Sequence, residues 1–249
     1  MPRKAREQSS TGIYHVMLRG INGQQIFEDD EDNETFLTLL GDCKQISRFK
    51  LYGYCLMGNH VHLLIKTTGE GLSQIFKRIG VRYVYWYNRK YQRSGHLFQD
   101  RFKSEPVEDE KYFQAVLRYI HQNPVRAGLV DSVKEYSWSS YNDYMKTEGI
   151  TDTSFALKLM SADEFIRFSN AENNDCFLDE KSKTWRMNDA DAKDIILKLF
   201  GVDNVSAFQS FSPNERNDNI KKLLSAGLSI RQISRLTGVS KRIVEKCGK

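Results

Sequence analysis

The stretch Asn-His-Val-His-Leu-Leu-Ile at 59–65 is the most informative part of this chain, because it sets two histidines inside an apolar run typical of a strand. Side chains alternate between the faces of a strand, so His60 and His62 project from one face while Val61 and Leu63 point the other way. Two imidazoles side by side form half of a metal site, since one divalent ion can bridge them. A buried polar patch is the competing interpretation of the pair.

A second informative stretch, 109–124, begins with an acidic residue and carries apolar residues at helical spacing. This pattern predicts a helix that ends at Pro124. Tyr119 and Asn123 are four residues apart and therefore share one face of that helix. A phenol and a carboxamide over the two histidines would complete a phosphodiesterase centre, with the tyrosine attacking phosphorus and the amide oxygen as third metal ligand. Core packing by Tyr119 and helix capping by Asn123 are the alternative.

Four blocks of sequence, in this order, resemble the single-tyrosine HUH transposases, specifically the REP-associated tyrosine transposase branch. They are Gly-Asn-His-Val-His-Leu-Leu at 58–64, Gly-His-Leu-Phe-Gln-Asp-Arg-Phe-Lys-Ser at 95–104, Tyr-Ile-His-Gln-Asn-Pro-Val-Arg-Ala-Gly-Leu-Val at 119–130 and Tyr-Ser-Trp-Ser-Ser-Tyr at 136–141. The segment 12–20 also fits the first strand of that family. The resemblance covers about residues 10–145, and four ordered blocks are far more specific than any one of them.

The resemblance implies a reaction and a set of residues for it. Tyr119 would be the nucleophile, forming a 5′-phosphotyrosine intermediate with a free 3′-hydroxyl on single-stranded or hairpin DNA. A Mg²⁺ or Mn²⁺ ion would be the cofactor, and it would bind His60, His62 and Asn123.

Three other side chains bear on this predicted site. Asn123 directly precedes Pro124, a position where helical geometry is disfavoured, so Gln122 would be a substitute ligand. His15 could approach the metal from the neighbouring strand. His121 is expected to face elsewhere on the helix and to have no role.

Composition argues against several classes of protein. No apolar run approaches the ~18 residues of a membrane span, and no apolar segment follows the positively charged N-terminus as it would in a secretory signal. The four cysteines, at 43, 55, 176 and 247, form no C-x-x-C pair. They favour free thiols in a reducing cytosol over structural zinc. A cytoplasmic protein with no membrane partner is therefore predicted.

The net charge of +5 is unevenly distributed along the chain. Residues 71–103 hold eight Lys/Arg against one acidic residue, and residues 217–249 hold eight against two, so the remainder is net acidic. Two basic blocks on an otherwise acidic chain predict two separate surfaces for polyanions.

The first basic block is also rich in aromatic residues, on which the bases of single-stranded DNA can stack while the cations follow the phosphates. A helix must also bury one face, so Val81, Val84, Tyr85 and Tyr91 are largely assigned to the core. Arg101 and Lys103 alternate with Phe102 on a predicted strand, which places both charges on one face. The cations of this block predicted to bind DNA are Lys77, Arg78, Arg82, Arg89, Arg101 and Lys103.

The coarse order of elements predicts an α+β fold. Strands at 13–19, 50–57, 60–66 and 101–107 are interspersed with helices at about 33–47, 72–91 and 110–123. The order βαββαβ is that of a ferredoxin-like sheet, which the resemblance also implies. The predicted domains are an HUH nuclease domain at 1–148, a helical linker region at 149–210 and an all-α helix-turn-helix domain at 211–249.

The C-terminal segment 229–246 resembles the helix-turn-helix of bacterial initiators and transposon resolvases. Ser229 with Gln232 caps one helix, Gly238 permits a tight turn and Ser240 caps the next helix. Its cations are predicted to contact duplex DNA, with the last three on the helix that enters the major groove: Arg231, Lys241, Arg242 and Lys246. A helical hairpin used for packing or for homodimerisation is the alternative.

The main prediction is thus a metal-dependent single-strand DNA endonuclease and strand transferase with an added duplex-binding domain. A non-catalytic, domesticated DNA-binding regulator is the competing function, and the presence of every predicted metal ligand and of Tyr119 favours the enzyme. An RNA endonuclease on the same scaffold also stays open, because stacking surfaces do not distinguish the sugar.

Overall fold

A computed structural model describes residues 6–146, 149–173, 175, 177–178, 189–201, 208 and 211–248. The chain forms two compact units, 1–181 and 182–249. The domain boundaries predicted after residues 148 and 210 remain a prediction about which parts of the chain fold independently. Cys43, Cys55 and Cys247 form no disulfide among the described residues, and Cys176 lies outside those residues.

The first unit is built on a four-stranded antiparallel sheet in the order β2-β3-β1-β4. Its strands are β1 (Ile13–Arg19), β2 (Lys50–Met57), β3 (His60–Lys66) and β4 (Lys103–Pro106). The helices between and after them are α1 (Asp30–Ser47), α2 (Leu72–Lys90) and α3 (Glu110–Arg126). The predicted βαββαβ order and the α+β class are therefore confirmed, with β1 and β3 at the centre of the sheet.

The sheet separates two hydrophobic cores. Val61 and Leu63 of β3 belong to the core that α1 and α2 cover. Leu64 belongs to the core on the opposite face, which α3 covers with Phe113, Leu117 and neighbouring side chains. The alternation predicted for 59–65 is thus present, and it directs the even-numbered residues of β3 toward α3.

Two helix ends differ from the predicted ones. Helix α1 begins at Asp30 rather than near 33, because Asp29 and Asp32 form a reciprocal capping box before it. Helix α3 does not end at Pro124, since the chain stays helical to Arg126 and the amide of Ala127 still donates to Asn123 O at 2.9 Å. Proline removes only its own N–H donor, so the turns on either side can persist.

Short elements complete the first unit. They are 3₁₀ helices at Ile21–Gly23, Val133–Glu135 and Ser140–Tyr144, followed by α4 (Ala156–Leu159) and α5 (Ala162–Asn170). A capping box of Ser161 and Glu164 stands at the start of α5. Helix α5 packs against α3, with Phe165 fully buried in the core beneath it.

The second unit is helical in its described residues. Its helices are α6 (Asp189–Phe200), α7 (Pro213–Ser225), α8 (Ile230–Thr237) and α9 (Lys241–Cys247). A capping box at Ser212 opens α7, and the capping box predicted at Ser229 opens α8. Gly238 ends α8 in the left-handed conformation with φ of 72°. Ser240 stands at the N-cap of α9, but its side chain makes no capping hydrogen bond. Ile196, Ile220, Leu223, Ile233 and Val244 form the buried core.

Candidate active site between the sheet and helix α3

His60 and His62 lie on β3 and project from the sheet face that α3 covers. Across the β1–β3 pair, Met17 faces His62 and Arg19 faces His60. The ring centroids of the two histidines are 5.0 Å apart and the rings are nearly perpendicular. His62 is fully buried, while His60 is partly exposed. The strand therefore brings the two imidazoles together on a face that a ligand can reach at one end.

Each of these imidazoles has a polar contact at one ring nitrogen. Nδ1 of His62 lies 2.9 Å from Nε2 of His15, a fully buried residue of β1. Nδ1 of His60 lies 2.6 Å from Oδ1 of Asn59. In both histidines this contact is made by Nδ1, so a bond from either imidazole to a metal ion would be made by Nε2.

Tyr119 projects from α3 onto these histidines. Its ring centroid lies 5.8 Å from that of His62 and 6.0 Å from that of His15, both in edge-to-face geometry. The ring of Phe177 packs against it with centroids 4.9 Å apart, and the guanidinium of Arg126 lies 5.1 Å from its centroid. Tyr119 is only 2% exposed. The Tyr119 ring is therefore buried in this structure beneath neighbouring side chains that include Phe177.

Asn123 stays in the helix one turn beyond Tyr119, although it precedes Pro124. Its Nδ2 donates to the backbone carbonyl of Tyr119 at 2.9 Å, and this bond leaves Oδ1 for a further ligand. The expected displacement of Asn123 from helical geometry is therefore wrong, because the helix continues through the proline.

The amide of Gln122 instead forms hydrogen bonds, through both its nitrogen and its oxygen, with the C-terminal end of α5 and the residues that follow it. Its Nε2 donates to the carbonyl oxygens of Ser169 at 2.8 Å and Ala171 at 2.9 Å. Its Oε1 accepts from Nδ2 of Asn173 at 2.6 Å. Gln122 thus fastens residues 169–173 to α3, and a role as metal ligand would break three hydrogen bonds.

The donor set around the histidines limits what can complete a metal site. Among the residues that the structure describes, no three or more His, Cys, Asp or Glu side chains are grouped so that they could hold a metal ion. A site on His60 and His62 therefore needs a ligand of another type, and an amide oxygen such as that of Asn123 qualifies. A site with two imidazole nitrogens and one oxygen suits Mn²⁺. If oxygen atoms of water and phosphate supply the remaining ligands, the site also suits Mg²⁺.

His121 points away from this site into the core between α3 and α5. It is fully buried among aromatic rings that include Tyr144 and Phe165, and its Nε2 lies 2.8 Å from Oγ of Ser140. Burial disfavours the charged imidazolium and lowers the pKa of His121 to about 3. His121 therefore stays neutral and structural at any pH near neutrality.

This burial makes stability depend on pH with a defined sign. The unfolded chain protonates His121 near its ordinary pKa of 6.5, whereas the folded chain does so only near 3, so stability falls as the pH drops between these values. We expect the destabilisation caused by His121→Leu to shrink by about 1.4 kcal/mol per pH unit between pH 6 and pH 4. Urea unfolding at each pH measures this. A destabilisation that does not change with pH would contradict the assignment.

The basic block of α2 divides into paired and exposed cations. Arg78 forms an ion pair with Glu70, and Arg82 forms one with Asp42 at 2.9 Å. Lys77 and Arg89 are exposed and have no acidic partner among the described residues. Four of the cations predicted to bind DNA lie on α2, and Lys77 and Arg89 are the exposed ones among these four.

The helical phase of α2 also corrects the predicted buried face. Tyr83 and Tyr87 are buried, and their hydroxyls donate to the carbonyls of Ile26 at 2.6 Å and Gln25 at 3.2 Å. Val81 and Tyr85 were assigned to the core, but they are 63% and 70% exposed. The exposed stripe, in i, i+4 steps, is Lys77, Val81, Tyr85 and Arg89.

Lys103 begins the edge strand β4, and Arg101 and Phe102 precede the strand instead of lying on it as predicted. Both cations are exposed, while Phe102 between them is buried and carries the guanidinium of Arg6 at 3.7 Å from its centroid. Strand β4 begins only at Lys103, two residues later than predicted. The two cations border a cavity of about 560 Å³ beside this edge strand.

The predicted duplex-contacting cations of the second unit lie on its surface. Arg231, at the start of α8, is exposed, as are the three cations of α9. Lys241 pairs with Glu245 at 3.3 Å, one turn along α9. Arg242 and Lys246 are four residues apart and lie on the same face of the helix.

Sequence reasoning missed two residues that the structure places in the site. Asn59 contacts His60, and Phe177 covers Tyr119 from a segment far along the chain. Asn59 was within reach of a sequence argument, because an amide beside a candidate ligand is a natural hydrogen-bond partner. No local pattern around Phe177 indicates its contact, since tertiary packing alone brings it there.

Comparison with known proteins gives concordant results. Residues 8–123 match the family described as IS200-like transposase. A Haemophilus influenzae protein assigned to the REP-associated tyrosine transposases is 30% identical over 160 residues, which span 59% of this chain and 90% of that protein. The solved structure of a REP-associated tyrosine transposase bound to a REP hairpin shares the fold, with a TM-score of 0.50 at 15% identity over 61% of this chain and 94% of the other. Separately, no helix within the described residues is long and apolar enough to cross a membrane.

Proposed function

This chain belongs to the IS200-like transposases, within the REP-associated tyrosine transposases, and from that premise we propose that it cleaves and rejoins hairpin-forming single-stranded DNA through Tyr119. The observation that carries the proposal is the placement of the Tyr119 ring 5.8 Å from that of His62. A phenol and a pair of possible metal ligands thus meet at one point between the sheet and α3. Similarity to a relative solved with a REP hairpin supports hairpin DNA as the substrate class.

The proposed reaction is a transesterification at phosphorus. The phenolic oxygen of Tyr119 attacks the scissile phosphate and releases its proton, and the bond from phosphorus to the 3′ oxygen breaks. The electron pair leaves with the 3′ oxygen, which takes up a proton to become a 3′-hydroxyl. The 5′ phosphate stays bound to Tyr119. One phosphodiester replaces another, so reversal with a second 3′-hydroxyl rejoins strands without ATP.

The residues that would hold a divalent ion are His60, His62 and Asn123. Such an ion, Mg²⁺ or Mn²⁺, would neutralise charge on the phosphate and on the leaving oxygen. The chain itself supplies orientation. Strand β3 fixes the two imidazoles, and α3 presents Tyr119 and Asn123 from one face above them. A free tyrosine has a pKa near ~10, so positioning beside a cation is what would make it a competent nucleophile.

Covalent trapping tests the proposal. Hairpin DNAs with randomised single-stranded flanks, labelled at the 3′ end, are incubated with the protein and Mn²⁺ or Mg²⁺ and resolved under denaturing conditions. We expect the 3′ label to move to the size of the protein, and a 5′ label to remain on a shortened strand. Loss of both signals with a chelator is expected. Tight DNA binding without adduct across the pool would instead favour the non-catalytic regulator, and adducts with RNA hairpins alone would favour an RNA substrate.

The exposed stripe of α2 is the surface proposed to bind the DNA. Lys77 and Arg89 lie at its ends and can contact phosphates, while Tyr85 between them offers a ring for stacking. Arg78 and Arg82 are already neutralised by acidic partners, so their contribution to DNA binding is expected to be smaller.

The salt dependence of DNA binding distinguishes the exposed cations Lys77 and Arg89 from the ion-paired cations Arg78 and Arg82. The double variant Lys77→Ala with Arg89→Ala is expected to lower the slope of log K against log salt for single-stranded hairpin DNA by roughly 1.5. The matched control, Arg78→Ala with Arg82→Ala, removes the same charge from the same helix and should lower it by less. Fluorescence anisotropy at several salt concentrations measures both. Equal slopes for the two double variants would show that the stripe is not the DNA surface.

The second unit is proposed to bind duplex DNA through α9. Its short turn at Gly238 and the two exposed cations on one face of α9 suit insertion into a groove. We expect Arg242→Ala with Lys246→Ala to weaken duplex binding at least about fivefold while adduct formation on short hairpins persists. Lys221→Ala with Lys222→Ala, on α7, is the matched control. If the control weakens binding equally, the contact is only general electrostatic attraction. If these helices serve in homodimerisation instead, sedimentation would show a dimer.

A further inference from the structure

We propose that Asn59 and His15 are positioning residues, which hold His60 and His62 in the tautomers that can bind a divalent ion. This inference rests on the proposed function, because it concerns the metal site of that function. It goes further by assigning two residues that are not themselves ligands. It also specifies which ring nitrogen of each histidine faces the ion.

The chemical requirement comes from the neutral imidazole. One ring nitrogen carries a proton and donates, and the other carries a lone pair and accepts. Only the nitrogen with the lone pair can bind a metal, so a ligand histidine must keep its proton on the opposite nitrogen. Ligand histidines in proteins commonly donate that proton to a carbonyl, a carboxylate or a similar acceptor, which fixes the tautomer and the ring orientation.

Asn59 meets this requirement for His60. Its Nδ2 donates to the carbonyl of Gly23 at 3.2 Å, so the amide is oriented with Oδ1 toward the imidazole. Oδ1 can only accept, and it lies 2.6 Å from Nδ1 of His60. The proton of His60 is therefore on Nδ1, and Nε2 keeps its lone pair. The loop around Gly23 thus determines the tautomer of a residue on the central strand.

His15 meets the same requirement for His62. The two ring planes are inclined by 29°, their centroids lie 5.1 Å apart, and both side chains are fully buried. Nε2 of His15 lies 2.9 Å from Nδ1 of His62, so a His62 that binds metal through Nε2 donates its Nδ1 proton to His15. An apolar residue at position 15 could pack against the nearby rings of Tyr119 and Phe177, but it would offer no acceptor.

Nitrogen NMR of the histidine rings tests the tautomers directly, without metal or DNA. In the full-length protein labelled with ¹⁵N-histidine at pH 8, we expect His60 and His62 both to carry the proton on Nδ1. In Asn59→Ala and His15→Phe, the affected histidine should shift to the tautomer mixture of a free imidazole. A wild-type protein with the proton of either histidine on Nε2 would overturn the proposal for that residue.

Mn²⁺ titration followed by electron paramagnetic resonance gives a second readout. Asn59→Ala and His15→Phe are expected to weaken Mn²⁺ binding about 10–100-fold. Asn59→Asp and His15→Gln keep an acceptor and should recover most of the affinity. His121→Phe is the matched control, because it removes another fully buried histidine of the same unit and should bind Mn²⁺ like the wild type.

Two outcomes separate this inference from the proposed function. If His62→Ala loses Mn²⁺ binding while Asn59→Ala and His15→Phe keep wild-type affinity, the metal site stands and the positioning role is wrong. If His62→Ala itself binds Mn²⁺ like the wild type, the metal site of the proposed function is wrong, and the positioning roles assigned to Asn59 and His15 are then wrong as well. Circular dichroism and thermal unfolding of each variant confirm that a lost signal does not arise from unfolding.

Discussion

Replacing Tyr119 with phenylalanine is expected to reduce adduct formation and strand cleavage by on the order of 10⁴-fold or more, to the background of the assay. The variant removes the phenolic oxygen, which is the only atom of the side chain that can bond to phosphorus. It keeps the ring that packs against His62 and Phe177, so the fold and the metal site should survive. The measurement is transfer of the 3′ label from hairpin DNA to protein in the presence of Mn²⁺.

Tyr112→Phe is a closely matched control for this substitution. Tyr112 lies on the same helix two turns earlier, and its ring also packs against Phe177, with centroids 5.4 Å apart. We expect this variant to form the adduct at the wild-type rate. Adduct formation by Tyr119→Phe would assign the nucleophile to another residue, and loss of the adduct in both variants would indicate a packing defect rather than lost chemistry.

The fold was predictable where one periodicity dominated. The alternation of β3 was sufficient to assign the strand and the face that carries its histidines, and the helical spacing of α3 was sufficient to assign that helix. Helix α2 was harder, since aromatic residues occur all around it. Tyr83 and Tyr87 are buried while Tyr85 is exposed, and only the packing against α1 determines which of them faces inward.

The other errors of the sequence-based predictions concerned the effect of Pro124 on α3 and the availability of the charged side chains of α2. Pro124 predicted a helix end, but the core packing of α3 outweighs the loss of one backbone hydrogen bond. Arg78 and Arg82 were predicted to bind DNA from the basic composition of α2, yet Glu70 and Asp42 form ion pairs with them. The pairing of Arg82 with Asp42 could not be read from the order of the sequence, because these two residues meet only when α1 and α2 pack together.

In the candidate site, too, some features could be predicted from the sequence and others could not. His60, His62 and Tyr119 could be assigned from spacing and from resemblance, because each lies on a regular element whose geometry is known in advance. The contact between His15 and His62 depends on the register of β1 against β3, which places His15 diagonal to His62. That register follows from the whole sheet rather than from any local motif.

The second large effect is expected at the metal ligands. His62→Ala should abolish measurable Mn²⁺ binding and reduce adduct formation on the order of 10³-fold, because several kcal/mol of charge stabilisation at the phosphate would be lost. Asn123→Ala should weaken Mn²⁺ binding about tenfold, since water can replace a neutral amide oxygen more readily than an imidazole. Electron paramagnetic resonance titration and covalent trapping measure the two effects on the same preparations.

Gln122→Ala distinguishes the two neighbouring amides. Its side chain makes three hydrogen bonds to the segment 169–173, so the variant should lose about 1–3 kcal/mol of stability while Mn²⁺ affinity is unchanged. Asn123→Ala, whose side chain makes one bond within its own helix, should show the opposite pattern. If Gln122→Ala loses Mn²⁺ and Asn123→Ala keeps it, the third ligand is Gln122, and the segment 169–173 must then detach from α3 whenever the ion binds.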